Sequence, residues 1–334
     1  MKRRNIAVFF DGTGQDMKVL PRYLWSNVAF LYEAVDTTET PEVVQSRKYL
    51  DGVGTRKGED FTGGGFGIGL DERIEEACDF LYQEFVQSAE HGEEPHVYLF
   101  GFSRGAFAAR WLASLVDFCG VSKGNPTPRK LFVTHREKRM DDAQEFIDSG
   151  RVYYPVKIDF IGVWDTVEAS IDKITGIANV PKCVGKVYHA LAIDEWREKF
   201  KPTRFNPSEK VDEVWFPGCH TDVGGGYEIR TLANAPLWWI VSGCRKFKLR
   251  ILEEALESTL ERLKECAAFH DELAHSLLWQ TLNGGEKYFR EIRDGDWYDT
   301  STVAFSKDAP ADRPTIPSSC IAKNFGGGEG VALV

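Results

Sequence analysis

Residues 97–110 read VYLFGFSRGAFAAR, an apolar run followed by a Gly-x-Ser-x-Gly turn and a helix-forming segment. A nucleophile elbow has this order of strand, sharp turn and helix, with glycines where side chains would collide with the neighbouring strand and helix. The motif therefore predicts Ser103 as a nucleophile. The alternative, a serine that only caps the helix, leaves the two flanking glycines unexplained.

The rest of the chain alternates short apolar segments with longer amphipathic ones, which is typical of a parallel sheet covered by helices on both faces. We therefore expect an α/β fold, with a mainly parallel sheet flanked by helices in an α/β-hydrolase-like arrangement. Predicted strands are 6–10, 45–50, 97–100, 158–164 and 214–216. Predicted helices are 27–35, 71–88, 106–118 and 187–199.

A length of 334 residues fits one large domain or two ordinary ones, and we expect a single α/β-hydrolase-like domain over residues 1–334. A charged insertion interrupts the predicted core, and a helical extension and a loop-like tail follow it. The amphipathic pattern of 251–282 and Pro236 near a helix start indicate the helical character of the later region. The expected segments are the core 5–245, the insertion 122–150 with a short helix around 141–147, the extension 246–308 and the tail 309–334.

Composition excludes several function classes. The formal charge of −10 argues against a nucleic-acid binder, and the seven cysteines form no CxxC pair, which favours a reducing compartment. The apolar run 6–10 is too short for a signal peptide, and no run of 18 apolar residues is present. We expect a protein that is cytoplasmic in the producing cell, with any export by a signal-independent secretion system.

A serine nucleophile needs a base and an acid that orients the base. His220 follows predicted strand 214–216, and Asp165 follows strand 158–164, so both lie at carboxyl ends of strands, where open α/β sheets bind ligands. The chain order Ser103, Asp165, His220 is that of α/β-hydrolase triads. Three other carboxylates are kept as alternative acids or supporting groups, namely Asp222, Asp11 and Asp194.

An oxyanion hole needs two backbone N–H groups aimed at the developing charge. We expect one from Arg104 and the other from Gly12 or Thr13, in the glycine-containing loop after the first strand. Asp11 is expected to hold this loop as a turn acceptor. No metal-ligand motif is present and the glycine run 63–69 matches no phosphate-binding loop, so neither a metal nor a cofactor is expected.

These residues resemble the bacterial and fungal α/β-hydrolase domain that includes the catalytic module of one class of type VI secretion phospholipase effectors. The resemblance implies a lipase or esterase with Ser103 as nucleophile, His220 as base and Asp165 as acid. The matching segments are 10–14 (FDGTG), 51–55 (DGVGT), 101–106 (GFSRGA), 162–167 (GVWDTV), 189–195 (HALAIDE) and 215–227 (WFPGCHTDVGGGY).

The expected function is therefore serine hydrolysis of carboxylic esters of lipids, as in a lipase or phospholipase, through a triad and an acyl-enzyme. Expected partners are the lipid or other ester substrate, a membrane surface contacted peripherally and, for a secreted member, a carrier protein and an immunity protein. The effectors carry a large additional module, whereas about 90 residues follow the matched segments here. A stand-alone esterase and a smaller effector that needs a separate carrier protein therefore both stay open. Two other readings also stay open: a thioesterase or peptidase, and a non-catalytic binding protein.

Overall fold

A computed structural model describes residues 1–56, 66–122, 144–145, 147–150, 152–168, 177–256, 270, 286–292, 296–299 and 321–323. The strands are β1 Arg3–Phe10, β2 Val43–Leu50, β3 Glu94–Phe102, β4 Val121–Ser122, β5 Val152–Tyr153, β6 Ile158–Trp164, β7 Val184–Ala192, β8 Val211–Phe216, β9 Trp297–Asp299 and β10 Ile321–Lys323. The helices are α1 Asn27–Ala34, α2 Phe66–His91, α3 Arg104–Cys119, α4 His220–Gly224 and α5 Thr231–Lys246.

Within this described part of the chain, the main sheet has the order β10-β9-β8-β7-β6-β3-β1-β2, and its neighbouring strands pair in parallel. Strands β4 and β5 form a separate antiparallel pair. Because the strands run the same way, their carboxyl ends meet at one edge, which we call the carboxyl edge. Ser103, Asp165 and the turn before His220 directly follow β3, β6 and β8, so all three lie at this edge.

Helices cover both faces of the sheet, as the continuous apolar strands predicted. In β1, Ile6, Val8 and Phe10 pack in one core with α2 and α3, whereas Ala7 and Phe9 pack in the other with α1 and α5. This alternation follows from the two-residue period of a strand. The structure thus confirms the α/β-hydrolase-like class, a mainly parallel sheet flanked by helices.

The predicted helix 187–199 is wrong. Residues 184–192 form β7, and only Glu198–Phe200 form a short 3-10 helix. Val187 packs in one core and Ala190 in the other, so burial on both faces gives β7 apolar residues three apart, a spacing that also suits a helix.

Other boundaries also differ from expectation. Pro236 lies inside α5 rather than near its start. Strands β9 and β10 lie in segments that were expected to be helical and loop-like, respectively. Residues 144, 145 and 147 of the expected insertion helix are helical, whereas most of the amphipathic stretch 251–282 lies outside the described residues. No described helix combines the length and apolarity that a membrane crossing requires.

A buried ion-pair cluster secures the opposite edge of the sheet. Arg4 on β1 donates to Glu84 Oε2 of α2 at 2.8 Å and to Glu93 Oε2, just before β3, at 2.6 Å. All three residues are buried. Removing one partner of such a cluster leaves charge without compensation in the interior, which is costly.

We expect Arg4→Gln to lower the free energy of unfolding by roughly 3 kcal/mol. Lys2→Gln is the matched control, since Lys2 pairs with the exposed Glu39 and the loss of a solvent-screened pair should change the stability little. Urea denaturation measures both. Equal costs for the two variants would contradict the role given to Arg4.

Candidate active site

Ser103 is the single residue between the end of β3 at Phe102 and the start of α3 at Arg104. Its backbone has φ 59° and ψ −123°, a left-handed conformation that is rare for a residue with a side chain. The Ser103 side chain makes no capping hydrogen bond to the described helix α3. The capping alternative therefore loses its support, and the strained turn has the form of a nucleophile elbow.

The two glycines beside Ser103 are required by close backbone approach. A Cβ on Gly101 would lie 2.4 Å from the carbonyl oxygen of Gly105. A Cβ on Gly105 would lie 2.3 Å from the carbonyl oxygen of Phe10 and 2.4 Å from that of Asp11. The start of α3 thus lies directly against β3 and the end of β1, which brings Ser103 next to the loop that follows β1.

Backbone hydrogen bonds hold Ser103 beside Asp165. The Ser103 N–H donates to the Trp164 carbonyl at 3.0 Å, and the Val167 N–H donates to the Ser103 carbonyl at 3.3 Å. These partners lie on either side of Asp165, which is fully buried and has a left-handed φ of 40°. The carboxylate therefore occupies a fixed position at the carboxyl edge.

His220 is the first residue of α4, and its Nδ1 lies 2.6 Å from Asp165 Oδ2. Burial lowers the pKa of His220, and the opposing effect of Asp165 does not fully restore it. Burial alone would raise the pKa of Asp165, but Arg290 and His220 hold it well below its usual range. The pair at rest is thus an ionised carboxylate beside a neutral imidazole.

Several residues around the imidazole were not anticipated from the sequence. The Phe102 and Phe200 rings lie 4.6 and 4.9 Å from the His220 ring. Glu195 Oε2 accepts the His220 backbone N–H at 3.2 Å and pairs with Arg197 at 2.6 Å. Glu195 ends the HALAIDE segment, so that segment was the available signal for it.

Arg290 binds the Asp165 carboxylate and is a residue of the site that the sequence did not predict. Its guanidinium binds Asp165 through both terminal nitrogens, Nη1 to Oδ1 at 2.5 Å and Nη2 to Oδ2 at 2.9 Å. Both side chains are fully buried. Arg290 lies far along the chain and outside every segment that carried the family resemblance, so nothing in the sequence pointed to it.

Two of the three alternative acids, Asp194 and Asp222, hold the turn before α4. Asp194 Oδ2 accepts the Gly218 N–H at 2.7 Å. Asp222 Oδ2 accepts the Cys219 N–H at 3.1 Å, and its Oδ1 lies 2.7 Å from Nδ1 of His270. Among the alternatives for the orienting acid, the carboxylate on the imidazole is thus that of the residue after β6. In the part of the chain that the structure describes, no three His, Cys, Asp or Glu side chains cluster as metal ligands.

Asp11 holds the loop after β1, as expected of a turn acceptor. Its Oδ1 accepts the Gly12 N–H at 2.7 Å, its Oδ2 accepts the Tyr49 hydroxyl at 2.6 Å, and burial raises its pKa to about 6. The Gly12 N–H is therefore already engaged. Of the two residues expected to supply the second oxyanion donor, this geometry favours Thr13.

Most of the chain matches a known family of catalytic domains. The family model of the catalytic domain of Tle1-like type VI secretion phospholipase effectors matches residues 4–243. The chain belongs to this family. The match covers β1 to α5 and therefore includes Ser103, Asp165 and His220, whereas Arg290 lies beyond it.

Individual relatives of the chain are more distant. An uncharacterized protein of Saccharomyces cerevisiae, YEL023C, is 29% identical over an alignment of 243 positions, which covers 64% of this chain and 34% of the yeast protein. The Tle1 effector solved bound to the VgrG spike of the type VI secretion system has 21% identity and a TM-score of 0.42, over 68% of this chain and 51% of its own. An uncharacterized protein from Pseudomonas aeruginosa has 17% identity and a TM-score of 0.46, over 80% and 52%.

The chain thus spans about a third of the yeast relative and about half of each of these solved chains. Membership of the family rests on the model match over residues 4–243.

We expect Gly105→Ala to lower the free energy of unfolding by about 3 kcal/mol or more, because the new Cβ meets two backbone carbonyls that cannot rotate away. Gly92→Ala is the matched control. Gly92 has a φ of +64° with nothing within 4 Å of its Cβ position, so only the left-handed strain of about 1–2 kcal/mol applies. Comparable urea midpoints for the two variants would show that the close approach at Gly105 does not constrain the fold.

Proposed function

We propose that the chain is a serine hydrolase that cleaves carboxylic ester bonds of lipids, in the manner of a phospholipase. The observation that carries the proposal is the buried Asp165–His220 pair, 2.6 Å apart, next to a serine held in a strained turn between β3 and α3. Membership of a phospholipase effector family supplies the substrate class. A binding protein would have no need of a strained serine beside a buried carboxylate that orients an imidazole.

In the proposed mechanism, neutral His220 accepts the proton of the Ser103 hydroxyl as its oxygen attacks the ester carbonyl. Asp165 accepts the hydrogen bond of the Nδ1–H and thereby leaves Nε2 free of a proton in the resting enzyme. The same carboxylate stabilises the imidazolium that forms. The lowered pKa of His220 keeps the imidazole in its neutral, basic form at neutral pH.

The developing negative charge on the carbonyl oxygen requires two donors. We assign one to the backbone N–H of Arg104, at the first turn of α3, where helix N–H groups have no partner within the helix. The second is assigned to Thr13. Its loop is fixed by hydrogen bonds from the Gly14 N–H to the Val53 carbonyl at 3.0 Å and from the Gly52 N–H to the Gln15 carbonyl at 2.8 Å.

Collapse of the tetrahedral intermediate breaks the ester C–O bond, and the leaving alkoxide takes the proton from the His220 imidazolium. The acyl group remains on Ser103. A water molecule then attacks the acyl-enzyme with His220 again as base, the fatty acid leaves, and the serine regains its proton. No cofactor enters this sequence of steps.

The partners follow from the family as proposals. The solved Tle1 effector is described as bound to the VgrG spike, so a secretion-system carrier is the protein partner to test, together with an immunity protein. Export would then need no signal peptide. The substrate lies in a membrane or a lipid aggregate, which implies peripheral contact with a lipid surface.

We expect a fluorophosphonate probe to add once to the wild-type protein and not to Ser103→Ala, with labelling of His220→Ala and Asp165→Asn reduced roughly 10³-fold or more. Ser114→Ala is the matched control, since Ser114 lies on the same helix α3 and its hydroxyl donates to the Arg110 carbonyl at 3.1 Å. Intact-mass spectrometry measures the adduct. A folded wild-type protein that forms none, or an adduct that survives Ser103→Ala, would overturn the assignment.

Substrate class is tested with the same variants. A panel of phospholipids, simple esters, thioesters and peptides should show the highest kcat/KM for phospholipids, because the family acts on them. Preferential cleavage of a thioester or a peptide would replace the lipase by the alternative hydrolases. Full labelling without turnover of any class would favour a binding protein.

We expect the activity to fall on the acid side of its pH profile with a midpoint below about 6.5, the ordinary pKa of histidine. The sign follows from the chemistry, since the base must be neutral and burial lowers the pKa of His220. Initial rates of ester hydrolysis from pH 4 to 9 provide the test. An acid midpoint well above 7 would show that another group controls the reaction.

A further inference from the structure

Arg290 makes four hydrogen bonds at the acid of the triad. Its two terminal nitrogens bind the two oxygens of Asp165, and they also donate to the carbonyls of Ala192 and Phe200, each at 2.6 Å. We propose that Arg290 is a positioning residue of the triad, which holds the Asp165 carboxylate toward His220 and balances its charge. This inference rests on the function proposed above.

The hydrogen bonds fix the carboxylate in one orientation. Oδ1 accepts from the Ala192 N–H at 3.0 Å and from Arg290, whereas Oδ2 faces His220 Nδ1 and Arg290. A planar guanidinium that binds both oxygens prevents rotation of the carboxylate. The guanidinium also donates to the carbonyls of Ala192, at the end of β7, and Phe200, which hold Arg290 in place. Oδ2 of Asp165 therefore stays directed at the imidazole.

Burial makes the charge balance necessary. Asp165 and Arg290 are both fully buried, and an isolated carboxylate there would either destabilise the fold or take up a proton. A protonated Asp165 could not stabilise the His220 imidazolium. The positive charge of Arg290 therefore keeps the acid ionised where water cannot solvate it.

The same charge acts on His220, where it opposes protonation of the imidazole. Loss of Arg290 should raise the pKa of His220, because the negative charge of Asp165 would then act without compensation, and also raise the pKa of Asp165. Both changes move the acid limb of the activity to higher pH. Among the described residues, the charged groups that act directly on His220 are Asp165 after β6 and Glu195 and Arg197 after β7. Arg290 binds Asp165, and Asp222 on α4 itself pairs with His270.

The test compares Arg290→Gln and Arg290→Lys in the full chain. Glutamine keeps a donor but removes the charge, whereas lysine keeps the charge but loses the two-pronged geometry. Arg4→Gln is the matched control, since Arg4 also forms buried ion pairs, with Glu84 and Glu93 at the opposite edge of the sheet. Two quantities are measured against pH: the rate of fluorophosphonate addition to Ser103, and the titration of His220 by NMR with ¹⁵N-histidine labelling.

For Arg290→Gln we expect at least a tenfold slower plateau rate, and an upward shift of about 1 pH unit in both the acid midpoint and the His220 titration. Arg290→Lys should keep the wild-type midpoint with a lower plateau rate. Arg4→Gln should lose stability without changing either quantity. Folded Arg290→Gln with the wild-type rate and titration would overturn the inference, and so would identical pH profiles for Arg290→Gln and Arg4→Gln.

Two further outcomes keep the result decisive. If Arg290→Gln fails to fold, Arg290→Lys decides, since a wild-type plateau rate in that variant would overturn the orienting role. If wild-type Ser103 is not labelled, the proposed function fails, but the His220 titration still tests the charge balance without any turnover. Labelled wild-type protein with an unshifted His220 in Arg290→Gln would overturn only the role of Arg290.

Discussion

The close backbone approach at the turn between β3 and α3 is the constraint on which the site depends. Gly101 and Gly105 allow the start of α3 to touch β3 and the end of β1, where any Cβ would lie within 2.4 Å of a carbonyl oxygen. The approach forces the intervening Ser103 into a left-handed conformation. It also fixes the position of that serine relative to the loop after β1, so the proposed nucleophile and the proposed oxyanion donors lie on adjoining, closely packed segments.

The parallel sheet brings the carboxyl ends of three strands to the same edge. Ser103, Asp165 and His220 follow β3, β6 and β8, and the Ser103 backbone bonds to the residues on either side of Asp165. As a result, the Asp165 carboxylate and the His220 imidazole are both buried away from water, which disfavours their charged forms. Neighbouring groups compensate for this burial. Arg290 pairs with the Asp165 carboxylate, and Glu195, which pairs with Arg197, accepts the backbone N–H of His220.

Sequence and structure agree where the signal is local. The strands near 6–10, 45–50, 97–100, 158–164 and 214–216 were found because their central residues are apolar on both faces or are bounded by clear turns. At β7 the same two-sided burial makes a strand look helical in the sequence, because Val187 and Ala190, three residues apart, pack in opposite cores. The sequence leaves Gly12 and Thr13 as equal candidates for the second oxyanion donor, because it cannot show that the Gly12 N–H donates to Asp11.

The sequence by itself determined the α/β class, the strained Ser103 turn and the candidates Asp165 and His220, because strand–turn–helix junctions are encoded by adjacent residues. It left the acid open among Asp165, Asp222, Asp11 and Asp194, since position in the sequence does not show which carboxylate reaches the imidazole. Only the tertiary structure decided which carboxylate meets the imidazole and that Arg290 binds it. Those contacts join residues 55 and 125 positions apart, and long-range pairing of buried charges leaves no periodic trace in the sequence.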